Sequence, residues 1–177
     1  PGPGLLDGLL LFAELARVPS FLVLTAEMMF TGVAVWVCIN WLPLFFHETF
    51  ALSLAMAGLY GTFWYQGGRI AGVLAGGIPS DAAARRNPRY RLLMMGLCYA
   101  AAAPLLLTFA FTRSFGLIAA AVFVYNFLIG MGYVNSQPLL CELLAPRLRS
   151  TAIGLMNLVS CMAGGAGVLA AAWLKSD

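Results

Sequence analysis

Two ionisable side chains, Glu27 and Arg69, sit inside stretches that are otherwise apolar. A charge at membrane depth is costly and usually faces a partner or a cavity. A guanidinium there can take up a carboxylate or a phosphate through its planar fork; a carboxylate can answer it or carry a proton. Counted at about 1.5 Å per residue from the nearer end of each stretch, Glu27 lies about 9 Å deep and Arg69 about 13 Å. Similar depths on consecutive segments allow an ion pair, and Glu27's place off the midplane argues against proton coupling. Tyr65, Gln66, Tyr125 and Asn126 fall nearer the midplane. Side chains of these types line solute cavities, or else hydrogen-bond helices together. These six residues form the candidate solute-binding set. Asn157 and Ser160 lie deeper on the last stretch, and Asn40 and the single histidine, His47, lie at an outer end where water explains them as well. Asn135 and Gln137, just ahead of Pro138, are expected to satisfy a locally broken helix.

Enzyme chemistry lacks its parts. There is no Gly-x-Ser-x-Gly turn, no His-containing metal motif and no phosphate-cradling Gly-Lys loop. Cys38, Cys98, Cys141 and Cys161 are dispersed without paired spacing and read as small packing residues. No cofactor, metal or catalytic residue is expected.

The elements that must position these side chains are long apolar runs. Hydrophobic residues make up 62% of the chain and charged residues 10%, with a mean hydropathy of +0.89; soluble domains are about a quarter charged. Five runs, Phe21–Phe46, Leu52–Ile78, Leu92–Phe111, Phe115–Leu140 and Ala152–Trp173, each reach the about 20 residues that a membrane helix needs. They are too long and too evenly apolar for barrel strands. The fold class expected is an all-α membrane protein, a bundle of five transmembrane helices. Arg17, the group Arg85, Arg86, Arg89 and Arg91, and the pair Arg147 and Arg149 collect on alternate loops. Excess basic residues mark cytoplasmic loops, so the first run is expected to cross outward. A multi-pass protein of the plasma membrane follows, with the lipid bilayer as partner and no nucleic acid.

Ahead of the first run, Pro1–Gly4 reads as the end of a flexible connection, since no Met opens the chain. Leu5–Ala16 reads as an amphipathic interfacial helix, with Pro19–Ser20 breaking it and Ser20 capping the first run. The boundary is drawn between a linker at 1–19 and a half-bundle at 20–177. In the second run Gly68, Gly72 and Gly76 recur every fourth residue, which flattens one helix face for close approach of another. Ala163, Gly167 and Ala171 repeat the device in the fifth run. Ala71–Ala75 (AGVLA) also recurs as Ala166–Ala170; if that echo is a repeat, the runs form inverted repeats of the kind transporters use.

Two of the basic loops carry a recognisable pattern. Gly77-Ile78-Pro79-Ser80-Asp81-Ala82-Ala83-Ala84-Arg85-Arg86 resembles the Gly-x-x-x-Asp-Arg-x-Gly-Arg-Arg/Lys loop of the major facilitator superfamily, and Glu142–Ala152 resembles that family's Glu-x-x-Pro-x-x-x-Arg-type connection, here with Pro146-x-x-Arg149 instead. Ala82 stands where the pattern has Arg, and Ala84 where it has Gly. The resemblance implies a partial major-facilitator fold, helices seven to eleven of twelve, with the sixth helix of this half and the whole N-terminal half missing. It implies a secondary transporter working by alternating access on a small organic solute, with a proton or another coupling ion as a further partner. It also implies a gating loop of Gly77, Asp81, Arg85, Arg86, Glu142 and Arg149, in which Asp81 latches the cytoplasmic side. An intramembrane Arg needs a negative partner, so an organic anion is the expected solute class. The alternative is a non-transporting scaffold or sensor that docks a partner through its glycine faces. Five helices with an open face cannot alternate access alone, so the isolated chain is expected not to transport.

Overall fold

The computed structural model describes residues 14–87 and 89–176, and the described residues are helical with short connections. The expected interfacial helix at Leu5–Ala16 falls almost wholly outside them. The helices are α1 (Pro19–Phe50), α2 (Leu54–Ala84), α3 (Arg89–Ala102), α4 (Thr108–Phe111), α5 (Phe115–Tyr133), α6 (Ser136–Leu143) and α7 (Pro146–Ser176). A 3-10 segment at Ala103–Leu107 joins α3 to α4. Two of the five runs are therefore interrupted. Pro104, in the third run, has no N–H and crowds the preceding turn, so the helix tightens there into the 3-10 form. The fourth run breaks at Val134–Asn135, between α5 and α6. Helix α1 starts at Pro19, so Ser20 lies inside it and is not its cap. Proline suits a first helical position because its missing N–H would be unpaired there anyway; Pro146 opens α7 in the same way.

Among the described residues, four segments are long and apolar enough to cross a membrane: Pro19–Phe50, Arg89–Phe111, Phe115–Leu143 and Pro146–Lys175. Helix α2 matches them in length but not in composition. Its glycines, tyrosines, Gln66, Arg69, Ser80 and Asp81 dilute its apolarity. What α2 has instead is a face of residues that are small apart from Tyr65: Ala57, Gly61, Tyr65, Gly68, Gly72, Gly76, Ser80 and Ala84 are its buried positions.

The chain divides into two compact units, residues 1–38 with 140–177, and residues 39–139. In the first, α1 and α7 approach closely and run parallel. A Cβ on Gly167 would lie 2.8 Å from Val33 Cγ1, and Gly164 seats the Trp36 ring. Gly32 meets Ser160 one turn earlier on both helices. At the end of α6, Arg149 reaches back from the first turn of α7: its Nε donates to the Leu144 carbonyl (3.2 Å) and its Nη2 to that of Cys141 (2.6 Å). These are carbonyls that a helix terminus leaves unpaired. Arg147 pairs with Glu14 at 2.5 Å.

In the second unit α5 is central, with 50% of its apolar window buried against 17% for the other candidate spans. Along its α2 side the two main chains nearly touch. A Cβ on Gly68 would strike the Phe123 carbonyl, one on Gly72 that of Phe127, and one on Gly76 would sit 2.8 Å from Met131 Cα. From the other direction, a Cβ on Gly130 would meet the Arg69 carbonyl at 2.5 Å. The register rises together on both helices, so α2 and α5 are parallel. On the opposite side Ala102 packs with Tyr125 and Ile129, the Tyr99 ring fits over Gly132, and Arg91 reaches Asn135. That order falls as the other rises, so α3 runs antiparallel to α5.

The far end of this unit is aromatic. Phe45, Phe46 and Phe50 of α1 meet Phe109, Phe115 and each other, tilted or edge-on, with ring centroids 5.3–6.3 Å apart. Edge-on geometry sets the positive ring rim against the negative face. Helix α1 then ends at Ala51, whose φ of 51° is in the left-handed region, and His47 Nδ1 lies 2.6 Å from the Leu52 carbonyl. Ser53 caps α2, its Oγ accepting the Met56 N–H at 3.3 Å. A non-glycine residue in that conformation costs about 1–2 kcal/mol. Ala51→Gly is therefore expected to stabilise the chain by about 1 kcal/mol, read as a higher unfolding temperature in detergent. An unchanged or lower temperature would remove the strain argument.

Candidate functional site

Arg69 lies midway along α2, partly buried, between two tyrosines. Its Nη1 donates to Tyr65 Oη one turn earlier, at a long 3.5 Å. Its guanidinium carbon stands 4.8 Å from the ring centre of Tyr133 on α5. The parallel register of α2 and α5 makes this possible, because the glycine contacts bring α5 close enough for Tyr133 to reach under the arginine. A cation over a desolvated aromatic ring gains about 2 kcal/mol, but a ring supplies no hydrogen-bond acceptor lone pair. The guanidinium has five N–H donors and Tyr65 receives one of them. Within its unit no carboxylate pairs with Arg69 among the described residues. The group is held in place by aromatic neighbours, with most of its donors free to meet an anion.

The other candidates scatter. Asn126, 2% exposed, donates from Nδ2 to the Val122 carbonyl at 2.9 Å. Its Oδ1 is buried with no hydrogen-bond partner among the described residues. It shares a helix face with Gly130 and Tyr133, the face turned toward α2. Tyr125 turns the other way, into the cluster with Ala102 and Ile129. Gln66 is exposed. Glu27 belongs to the first unit, where Thr31 Oγ1 donates to its Oε1 at 3.1 Å. Arg69, Tyr65 and Asn126 are thus gathered on one seam, and Tyr133 joins them although the sequence reading passed over it. Among the described residues, no group of three or more His, Cys, Asp or Glu could hold a metal ion.

A second polar cluster sits where α2, α3 and α5 end together. Arg91 Nη1 lies 2.9 Å from Asp81 Oδ1. The same nitrogen donates to Asn135 Oδ1 at 3.4 Å. Ser80 Oγ also donates to Asn135 Oδ1, and Asn135 Nδ2 donates to the Met131 carbonyl at 3.1 Å. Asn135 is fully buried, with 0% exposure. It occupies the break between α5 and α6, where the backbone has left a carbonyl unpaired, and its side chain serves that carbonyl and two donors from neighbouring helices. The guanidinium that meets Asp81 is that of Arg91, in the first turn of α3. Arg85 and Arg86 are exposed, and their side chains make no hydrogen bond or ion pair among the described residues. Gly77, beside the stripe, has nothing within 4 Å of where a Cβ would be. Glu142 is exposed and Arg149 caps α6.

The sequence model of the Major Facilitator Superfamily matches residues 3–168. No curated protein and no solved structure matches the chain.

Proposed function

The chain belongs to the Major Facilitator Superfamily, a family of secondary transporters and not of enzymes, and from that premise we propose which part of the fold it forms and what it moves. It forms the C-terminal half-bundle without its last helix. In support, the Gly77–Arg86 motif, expected as a loop, forms the last turns of α2 and the residues just after it, and the Pro146–Arg149 motif forms the first turn of α7. Helix α2 is read as the fifth crossing. It lies parallel against α5, which is apolar enough to span, and α3 returns antiparallel between the two in sequence. Parallel partners joined through one antiparallel helix cross the same slab. Alternating access then uses this half together with an N-terminal half and its coupling ion. The arginine-bearing loops face the cytoplasm.

The transported solute is a small organic anion. The observation that carries this reading is the Arg69 guanidinium, flanked by Tyr65 and Tyr133 with most of its donors unused. The test is uptake of labelled carboxylates and phosphate esters by the full-length transporter, in wild type, Arg69→Ala and Arg69→Lys. Losing a charge-assisted bidentate contact costs about 1.5–3 kcal/mol, so the apparent KM of Arg69→Ala is expected to rise at least about tenfold. Lysine keeps the charge but not the fork, and is expected to restore only part of the loss. Glu27→Gln separates two origins of the effect: if it reproduces Arg69→Ala, the arginine answers a carboxylate of the protein instead of the solute's. Unchanged uptake in folded Arg69→Ala removes the anion reading and leaves the family assignment intact.

A further inference from the structure

At the end of α2 and the start of α3 the surface forms a cleft of about 390 Å³ lined by Ala82, Ala83, Arg86 and Tyr90. Two of its four lining residues, Ala82 and Ala83, are alanines, so the space a longer side chain there would fill is open. Its surroundings are basic: Arg86 lines it, Arg85 and Arg89 are next in sequence to lining residues, and the guanidinium groups of all three are exposed with no partner among the described residues. The nearest carboxylate, Asp81, is already paired with Arg91, so it does not neutralise them.

We propose that this cleft binds the headgroup of an anionic phospholipid. The phosphodiester is held by Arg86 and the neighbouring arginines, with Tyr90 as a hydroxyl donor. Soluble phosphate shares the chemistry of the head but not of the surroundings. The apolar segment Arg89–Phe111 begins at the cleft itself, so the arginines stand at the membrane boundary. One turn inward, Ile78 lies on the same face of α2 as Ala82 and Leu93 on the same face of α3 as Tyr90. Both are well exposed, at 81% and 54%. Donors above and bare aliphatic side chains below match a lipid's phosphate and acyl chain. The site is independent of the transported solute and of the Arg69 reading.

The experiment is native mass spectrometry of the purified chain, incubated with dioleoyl phosphatidylglycerol or dioleoyl phosphatidylcholine at equal concentration. Each arginine near an anionic headgroup favours it by about fivefold, so retention of phosphatidylglycerol is expected to exceed that of phosphatidylcholine by at least that factor. Arg86→Gln is expected to remove most of the preference. Ala82→Phe, which changes no charge but crowds the cleft lining, is expected to do the same, with Tyr90→Leu as a milder variant should the phenylalanine prevent folding. Arg113→Gln, in the loop between α4 and α5, is expected to leave the preference intact. A preference insensitive to Ala82→Phe and Tyr90→Leu, or equally reduced by Arg113→Gln, would mean diffuse surface charge and overturn the site. Displacement of the lipid by millimolar inorganic phosphate would reassign the cleft to a soluble anion.

Discussion

Gly72→Ala is expected to lower the unfolding temperature of the chain sharply, while Gly77→Ala, little more than a turn away on the same helix, is expected to leave it level or raise it. The two substitutions add the same methyl group. At Gly72 the methyl would run into the main chain of Phe127, and at Gly77 it would meet nothing. Overpacking costs about 1–3 kcal/mol where side chains can shift. A helical backbone cannot turn aside, so Gly72→Ala belongs at about 3 kcal/mol or more, enough to part α2 from α5. Gly77→Ala gains up to about 1 kcal/mol from helix propensity alone. Thermal unfolding in detergent, followed by tryptophan fluorescence, decides between them. Equal behaviour of the two variants would mean that the glycine stripe does not set the helix separation.

The second large effect is expected at Asn135. Asn135→Leu removes the acceptor shared by Ser80 and Arg91 and the donor to the Met131 carbonyl. Each buried polar group left unsatisfied costs about 1–3 kcal/mol, more for a charged one, so the sum is expected to reach about 3 kcal/mol or above. Amide exchange over residues 131–137 is expected to quicken, because the break between α5 and α6 loses the side chain that bridges it. Arg91→Met should then cost less in the Asn135→Leu background than alone, a coupling that a double-mutant cycle reads directly. Strict additivity of the two would dissolve the network into unrelated contacts.

The long apolar runs were legible because membrane length and composition leave few alternatives, and the helices lie within a few residues of them. Their interruptions were less so. Pro104 sits inside an apolar run that gives no other sign of a stop, and only the 3-10 geometry reveals its effect. Glycine at every fourth residue of α2 marked a face, since identical spacing keeps one side bare. In α7 alanine and glycine are intermixed over several faces, and the sequence could not say that Gly164 and Gly167 meet α1. Tyr125 and Asn126 are adjacent in sequence but about 100° apart around the helix, so a shared role could not hold for both. The Arg91–Asn135 contact joins residues 44 positions apart. It depends on the antiparallel pairing of α3 and α5, which local pattern does not carry. For the same reason Tyr133 became visible as a neighbour of Arg69 only once the register of α2 and α5 was known.

That register has a mechanical consequence. Ser80 and Asn135 are 55 positions apart, the same separation as Gly68 from Phe123, Gly72 from Phe127 and Gly76 from Met131. Along the three glycines no side chain is interposed whose rotamer could change, and main chain bears on main chain. Sliding one helix past the other would drive carbonyls through alpha carbons. The pair behaves as a single beam, and bending within this unit is left to its two discontinuities. One is the 3-10 turn at Ala103–Leu107, toward the aromatic end, and the other the Val134–Asn135 break at the arginine end. The 3-10 turn lies beside the beam and the break at its end, so the beam carries the Arg69 side chain as a rigid passenger while its neighbours bend.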